Sequence, residues 1–314
     1  MKKRATTLVT GAAGFIGANL VRRLLRTKTD VHILIKTDSN LWRLADCIRN
    51  VTIHPIELTD KEKVKRVIQK IKPQVIFHLA AHGSYPMQTD IDTMIQTNII
   101  GTTYLLMALQ NINYRAFINT GSSSEYGFKD KPMAETDVLE PTFFYAATKG
   151  SATLLCQTFA KVYQKPIITL RPFSVYGPWE EPRRFIPTAM VACIRGNQLP
   201  LTSGSVRRDF IYIDDMIDAY MVAAKKAVRL SGEIFNIGTG IQSTNDEVVS
   251  YLERIANKKI STGKGAYPKR SWDRSLWLAN GNKARRLLDW TLKYSLRVGL
   301  EKTLGWFKNH IQFY

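Results

Sequence analysis

What this chain has little of narrows the field first. It holds three cysteines, Cys47, Cys156 and Cys193, far apart and odd in number. That excludes a disulfide-stapled secreted scaffold and fits a reducing compartment. None of the His or Cys spacings suits a metal site. No apolar run approaches the roughly 18 residues needed to cross a bilayer. The basic start, Met1-Lys2-Lys3-Arg4, leads into an apolar run too short for a secretory leader. The expectation is a cytoplasmic protein without a membrane span. Acids are also scarce, with 26 Asp+Glu against 45 Lys+Arg and a net charge of +19. A surplus of that size favours anionic partners: nucleic acid, an acidic membrane surface or phosphorylated small molecules. Base composition and solubility are the plainer explanation.

What is present is a strand and helix alternation. Residues 6–10, 31–35, 74–81, 116–121 and 166–172 are compact apolar runs, as expected for strands covered on both faces. Between them, 15–28, 60–71, 89–110 and 144–163 carry apolar residues at helical spacing. Such alternation implies an α/β fold, a Rossmann-type doubly wound parallel sheet. After about residue 176 turn formers cluster, at "YGPWEEP" and "RGNQLPLTSGS". Residues 207–227 then read as a short strand and a helix, "EIFNIGTG" as a strand, and "TNDEVVSYLERIA" as a capped helix. The expected division is a dinucleotide-binding domain over 1–175 and a smaller C-terminal α/β substrate lobe over 176–314. Some elements of the lobe should return to the sheet.

Gly11, Gly14 and Gly17 follow the first strand and open the first helix. Glycines there let the backbone approach a pyrophosphate, and the helix start offers free N–H groups. A diol-binding acid is expected at the end of the second strand, but Ile35 stands there, followed by Lys36. Lys36, Ser39 and Arg43 suit a 2′-phosphate, so NADP(H) is favoured. The alternative is NAD(H), with Asp38 as the diol partner. Tyr145 and Lys149 form a YxxxK on one helical face, and Ser122 ends the strand at 116–121, on the edge where parallel sheets bind ligands.

In chain order, these glycines, "FHLAA", "TNIIGT", Ser122, Tyr145/Lys149, "RPFSVYGP" and "RRDFIYIDD" resemble the extended short-chain dehydrogenase/reductases. These are the NAD-dependent epimerase/dehydratase family acting on nucleotide sugars. The likeness spans nearly the whole chain. It implies that Ser122, Tyr145 and Lys149 are catalytic. Tyr145 would carry a proton while hydride moves, its phenolate favoured by Lys149 and an oxidised nicotinamide. It implies cofactor contacts from Gly11, Gly14, Phe15, Ile16, Gly17, Leu79, Ala80, Ala81, Asn98, Tyr145, Lys149 and Pro172, with Asn98 steadying the backbone. Substrate contacts would come from His82, Ser123, Ser124, Ser174, Arg208 and Arg270. The family's 4,6-dehydratases carry acid/base groups, commonly Asp-Glu, after the catalytic Ser/Thr. Here Ser123 and Ser124 stand there and Glu125 comes one residue late, so Glu125 is expected to be structural.

The expected reaction is NADPH-dependent reduction of a nucleotide-linked 4-keto-6-deoxy sugar, for cell-surface polysaccharide synthesis. NAD-dependent 4-epimerisation of a nucleotide-diphosphate sugar is the alternative. A non-catalytic binding or regulatory protein on the same fold is the other class, against which the full Ser/Tyr/Lys set speaks. The family's pairing mode implies a homodimer through 89–110 and 144–163, with Ile99, Leu105, Leu106, Leu154 and Leu155 as the surplus apolar residues.

Overall fold

A computed structural model describes residues 5–85, 87–202, 206–267 and 276–314. In chain order the strands of the first half are β1 (Thr6–Thr10), β2 (Asp30–Ile35), β3 (Thr52–Pro55), β4 (Val75–His78), β5 (Ala116–Thr120) and β6 (Ile167–Pro172). Its helices are α1 (Phe15–Arg26), α2 (Lys61–Ile71), α3 (Ile91–Ile95), α4 (Gly101–Leu109) and α5 (Phe144–Tyr163). The second half adds β7 (Ser174–Tyr176), α6 (Phe185–Arg195), β8 (Leu199–Thr202), β9 (Arg207–Arg208), β10 (Phe210–Tyr212) and α7 (Ile213–Lys226). It ends with β11 (Ile234–Ile237), β12 (Ser243–Thr244), α8 (Asn245–Ala256), β13 (Thr262–Tyr267) and α9 (Leu296–His310).

Seven strands form one parallel sheet in the order β11-β6-β5-β4-β1-β2-β3. Neighbouring strand residues go to opposite cores. Leu8, Ile76, Phe117 and Ile167 pack on the side of α2, α4 and α5. Val9, Phe77, Ile118 and Ile168 pack on the side of α1 and α7. Both faces being covered is why these strands read as continuous apolar runs. The chain leaves β1 toward β2 and β3, then returns to β4 on the other side of β1. That reversal opens a crevice at the carboxyl ends of β1 and β4, where open α/β sheets take ligands.

Two differences from the sequence reading have physical causes. The β3 strand lies at the sheet edge and is largely exposed, so it lacks the apolar run that marked the others. The helix expected over 89–110 is divided into α3, a π turn at Gln96–Ile100, and α4. Such turns interrupt helices at functional sites, and this one holds Asn98. The expected pairing face differs as well. Leu105 and Leu106 are 0 % and 2 % exposed and belong to the core, so they are not surplus surface. Ile91, Ile95, Met107, Phe144, Leu154, Val162 and Tyr163 are the exposed large apolar residues of α3, α4 and α5.

Below the carboxyl edge lies a buried ion pair. Glu125, fully buried, accepts from Nε of Arg171 in β6 at 2.8 Å. Its other oxygen accepts from the Ser122 backbone N–H at 2.7 Å and from Thr153 of α5 at 3.0 Å. Arg171 also donates to the Tyr126 hydroxyl, which in turn donates to Asn236 of β11. Removing one charge of such a pair leaves the other buried and unpaired. Glu125→Gln should therefore lower stability by about 3–5 kcal/mol. Adding Arg171→Met to it should recover part of that loss, as read by urea unfolding of the single and double variants.

Candidate active site

The crevice is a cavity of about 710 Å³. Its floor is the carboxyl ends of β1, β4, β5 and β6; its far wall comes from residues within 172–188, from 200–202, from Val206, Arg208 and Phe210, and from Trp277.

At one end the chain turns from β1 into α1. Gly11 has φ +69°, and a Cβ on it would lie 2.5 Å from the backbone of Leu79 and Ala80. A Cβ on Gly17 would lie 2.2 Å from the Gly11 carbonyl. Only glycine lets the turn sit this close to β4 and to the helix. The start of α1 has no side-chain cap and no acid in its first turn. Gly14, Phe15, Ile16 and Gly17 line the cavity, so the start of the helix borders it with no acid to offset its positive end. That arrangement fits a dinucleotide pyrophosphate. Leu79, Ala80, Ala81 and Pro172 line the same space.

Past the end of β2, Lys36 and Ser39 line the cavity. Arg43 does not belong with them. Its Nε donates to the Trp179 carbonyl at 2.7 Å, and its Nη2 pairs with Glu181 at 3.0 Å. The side chain is buried in that brace, with its guanidinium over Trp42. Arg43 thus joins β2's loop to the second half instead of offering charge to a ribose. Lys36 pairs with Glu57 at 3.5 Å, and Glu57 also lines the cavity. The cationic cluster read from sequence reduces to one lysine with an acid beside it.

At the other end Ser122, Tyr145 and Lys149 meet on the cavity. Ser122 caps a short 3₁₀ turn, Ser123–Tyr126, and Glu125 completes a capping box on it. The one-residue lateness of Glu125 is thereby explained: it points under the turn, onto the Ser122 N–H, and holds the serine in place. The Ser122 hydroxyl lies 2.7 Å from Ser124 Oγ. Ser123 accepts from the Trp277 indole N–H at 3.1 Å.

Burial pushes the Tyr145 phenol up to about 12, against a downward pull from Arg184 and from the Ser122 hydrogen bond. Burial lowers Lys149, while Glu125 and Cys156 raise it. Lys149 in turn helps depress His78, which burial chiefly drives down to about 3. The protein alone keeps Tyr145 as a neutral phenol at physiological pH. The remaining bias toward phenolate has to come from what binds beside it.

Asn98 does not line the cavity. Its Oδ1 accepts from the His82 N–H, and its Nδ2 donates to the His82 carbonyl, both at 2.8 Å; Nδ2 also donates to Thr148 Oγ1 at 2.9 Å. It therefore clamps the loop after β4 to α5, the helix that carries Tyr145. His82 itself is outside the cavity lining, held by that clamp. Ser174 and Arg208 line the far wall, Arg208 with its guanidinium 5.6 Å from the Trp277 ring. Asp209, next to Arg208, is fully buried and accepts from Thr239, Gly240 and Ala279, which fixes the strand end. Arg270 lies outside the described residues.

Sequence reasoning passed over Tyr85, Trp277, Glu180, Arg183 and Arg184, all in the cavity wall. The last three stand in "WEEPRR", which carried only a turn signal. Arg184 donates to the Ser84 carbonyl at 2.8 Å, and Arg183 contacts the Met87 sulfur. Together they strap α6 to the loop after β4. No described helix is long and apolar enough to cross a membrane.

This geometry agrees with comparison to known proteins. The sequence pattern of the NAD dependent epimerase/dehydratase family matches residues 7–238. A UDP-glucose 4-epimerase of Mycolicibacterium smegmatis is 30 % identical, over 98 % of this chain and 99 % of that protein. The structure of UDP-glucose 4-epimerase with UDP-glucose from Thermotoga maritima superposes with TM-score 0.88 at 27 % identity, covering 98 % of this chain and 99 % of that one. A dTDP-glucose 4,6-dehydratase from Bacillus anthracis in complex with NAD gives TM-score 0.85 at 28 % identity, over 99 % and 98 %. The chain is an enzyme and belongs to the NAD-dependent epimerase/dehydratase family.

Proposed function

We propose that this enzyme is a nucleotide-sugar 4-epimerase using NAD. The observation that carries this reading is the meeting of Ser122, Tyr145 and Lys149 on one cavity, with Ser123 and Ser124 where a dehydratase needs acids. Hydride and proton transfer are all that such a set performs. A 2′-phosphate would find little free charge here, because Arg43 is engaged elsewhere and Lys36 has Glu57 beside it. Similarity to 4-epimerases supports the same choice.

When bound along α1 and the strand ends, NAD supplies a hydride acceptor and donor and a positive charge near Tyr145. Tyr145, ionised under that charge, would take the proton of the sugar C4 hydroxyl and later return it. Ser122 holds that oxygen by hydrogen bond. Lys149, buried beside the tyrosine, holds the nicotinamide ribose. Arg208, with Trp277 beneath it, is placed for the diphosphate, and Ser123, Ser124 and Ser174 for sugar hydroxyls. The competing reading, reduction of a 4-keto-6-deoxy sugar by NADPH, rests on Lys36 and Ser39 at the cavity's ribose end.

Incubation with UDP-, GDP- and CDP-hexoses and no reducing cofactor should give a 4-epimer without net change in nicotinamide absorbance. Oxidation of NADPH by a nucleotide-linked 4-keto-6-deoxy sugar, with no epimer from any hexose, would overturn the choice. Tyr145→Phe should keep the fold and cofactor binding and lose about a hundred- to ten-thousandfold in turnover. NAD⁺ should bind at least as tightly as NADP⁺ by titration; a tenfold preference for NADP⁺ would restore the reductase reading.

We also propose a homodimer built on the exposed Ile91, Ile95, Met107, Leu154, Val162 and Tyr163. Light scattering at micromolar concentration should give twice the chain mass, and Leu154→Glu should shift it toward the monomer.

A further inference from the structure

In a parallel sheet the chain must come back to the amino edge before each new strand. That edge lies opposite the cavity. The turns that enter β2, β3, β4, β5, β6 and β11 stand along it. They are tied side by side: the Arg115 N–H donates to the Gln74 carbonyl at 2.9 Å, Phe117 to Pro166 at 2.8 Å and Gly232 to Ile167 at 2.7 Å. Each turn carries a cation, in chain order Lys28, Arg49, Lys72, Arg115, Lys165 and Arg229. All but the half-buried Lys165 are exposed, and none is in an ion pair among the described residues. The acid in these turns is Glu233, which pairs with Lys283 at 2.6 Å. Asp30 and Asp289, which border the edge, face His32 and Lys226, and Arg229 acts on Asp289 at longer range. Lys2, Lys3 and Arg4, outside the described residues, lead in sequence to Ala5, whose carbonyl accepts from Asp30 on the same edge.

A cation at a helix C-terminus offsets the dipole, an effect that fades beyond the last turn. That covers Lys72, next after α2. It does not cover Arg115, directly before β5, or Arg49, in a 3₁₀ turn, and it does not explain the shortage of acids. We propose that the amino edge is a surface that docks the enzyme on an anionic bilayer. Nucleic-acid binders gather their cations along a groove or on an element that enters one. Here the cations come singly from six turns, spread from β3 to β11 over about 29 Å at the usual strand spacing. A broad, shallow array of that kind matches the diffuse charge of lipid headgroups. Val228, beside Arg229, is 72 % exposed and offers an apolar contact to the interface. Val162 and Tyr163, at the end of α5, belong to the pairing face and are not counted. Docked this way, the enzyme keeps its cavity open to water. The docking does not depend on which sugar it converts.

Co-sedimentation of the full chain with vesicles tests this. Equal parts of phosphatidylglycerol and phosphatidylcholine should carry it down at low salt. Phosphatidylcholine alone should not, and about 0.5 M salt should release it. A cation near an anionic surface is worth about fivefold in partition. Lys28→Gln, Lys72→Gln and Arg115→Gln together should therefore weaken binding about a hundredfold. Arg254→Gln, Lys302→Gln and Lys308→Gln remove the same charge from α8 and α9 and should leave binding near the wild-type value. In the wild type, bound vesicles should shield Lys28 and Lys72 from an amine-modifying reagent but not Lys302 and Lys308, a measurement that needs no variant. Failure of the wild type to sediment, equal loss in the two triple variants, or uniform labelling overturns the proposal. Binding to duplex DNA or RNA that the first triple variant abolishes, at a salt concentration where vesicles do not bind, overturns it too and makes the edge a nucleic-acid surface.

Discussion

The rest of the site hangs on the ion pair between Glu125 and Arg171. A charge pair with no exposure is poor value as stability alone, because desolvation opposes attraction. Its worth here is geometric. One carboxylate reaches the Ser122 backbone, α5 and β6 together, and Arg171 extends the chain through Tyr126 to β11. The 3₁₀ turn bearing Ser122, the helix bearing Tyr145 and Lys149, and the returning strand are thereby fixed to one point. Asn98 does the same on the opposite side, joining α5 to the loop after β4. Between these two anchors the catalytic helix has little freedom, which is what proton transfer over hydrogen-bond distances demands.

Electrostatically, burial disfavours charge on several groups of the centre. Tyr145 and Cys156 are both driven up to about 12, and His78 down to about 3. Lys149 is depressed as well. In such a place a ligand charge acts at short range without water to screen it. Arg184 is the protein's own cation acting on the phenol, and it comes from the far wall. Arg184 ends the 177–184 loop, a part of the cavity wall that motif spacing on α5 does not contain.

Much of this was legible in the chain because it is local. β1 and α5 match their expected limits, since both are marked by continuous apolar patterning with clear stops. The glycines of the first turn and the Ser, Tyr and Lys positions were readable for the same reason: each depends on neighbours a few residues away. Arg43 misled because a basic residue near a ribose-binding position looks the same whether it faces ligand or braces Trp179. Its partners lie 136 and 138 positions away. Glu180 was invisible for the converse reason, since nothing local to "WEEP" says that one of two adjacent acids is buried. Leu105 and Leu106 look like surplus apolar surface in the sequence because the covering that the sheet face needs is not visible locally; both lie in the core. The +19 charge has no structural explanation beyond the cationic cavity wall and the basic turns of the amino edge.

The return of β11 has a consequence for how the chain can be divided. β11 is the outermost strand of the main sheet and pairs with β6, every residue of which is buried. Without residues beyond 175, β6 would become a bare margin, presenting a row of unpaired amides and carbonyls with apolar residues on both faces. Margins of that kind recruit other chains. The polypeptide made first during synthesis therefore carries an adhesive edge until Ile234–Ile237 arrives, and the second half acts as its seal.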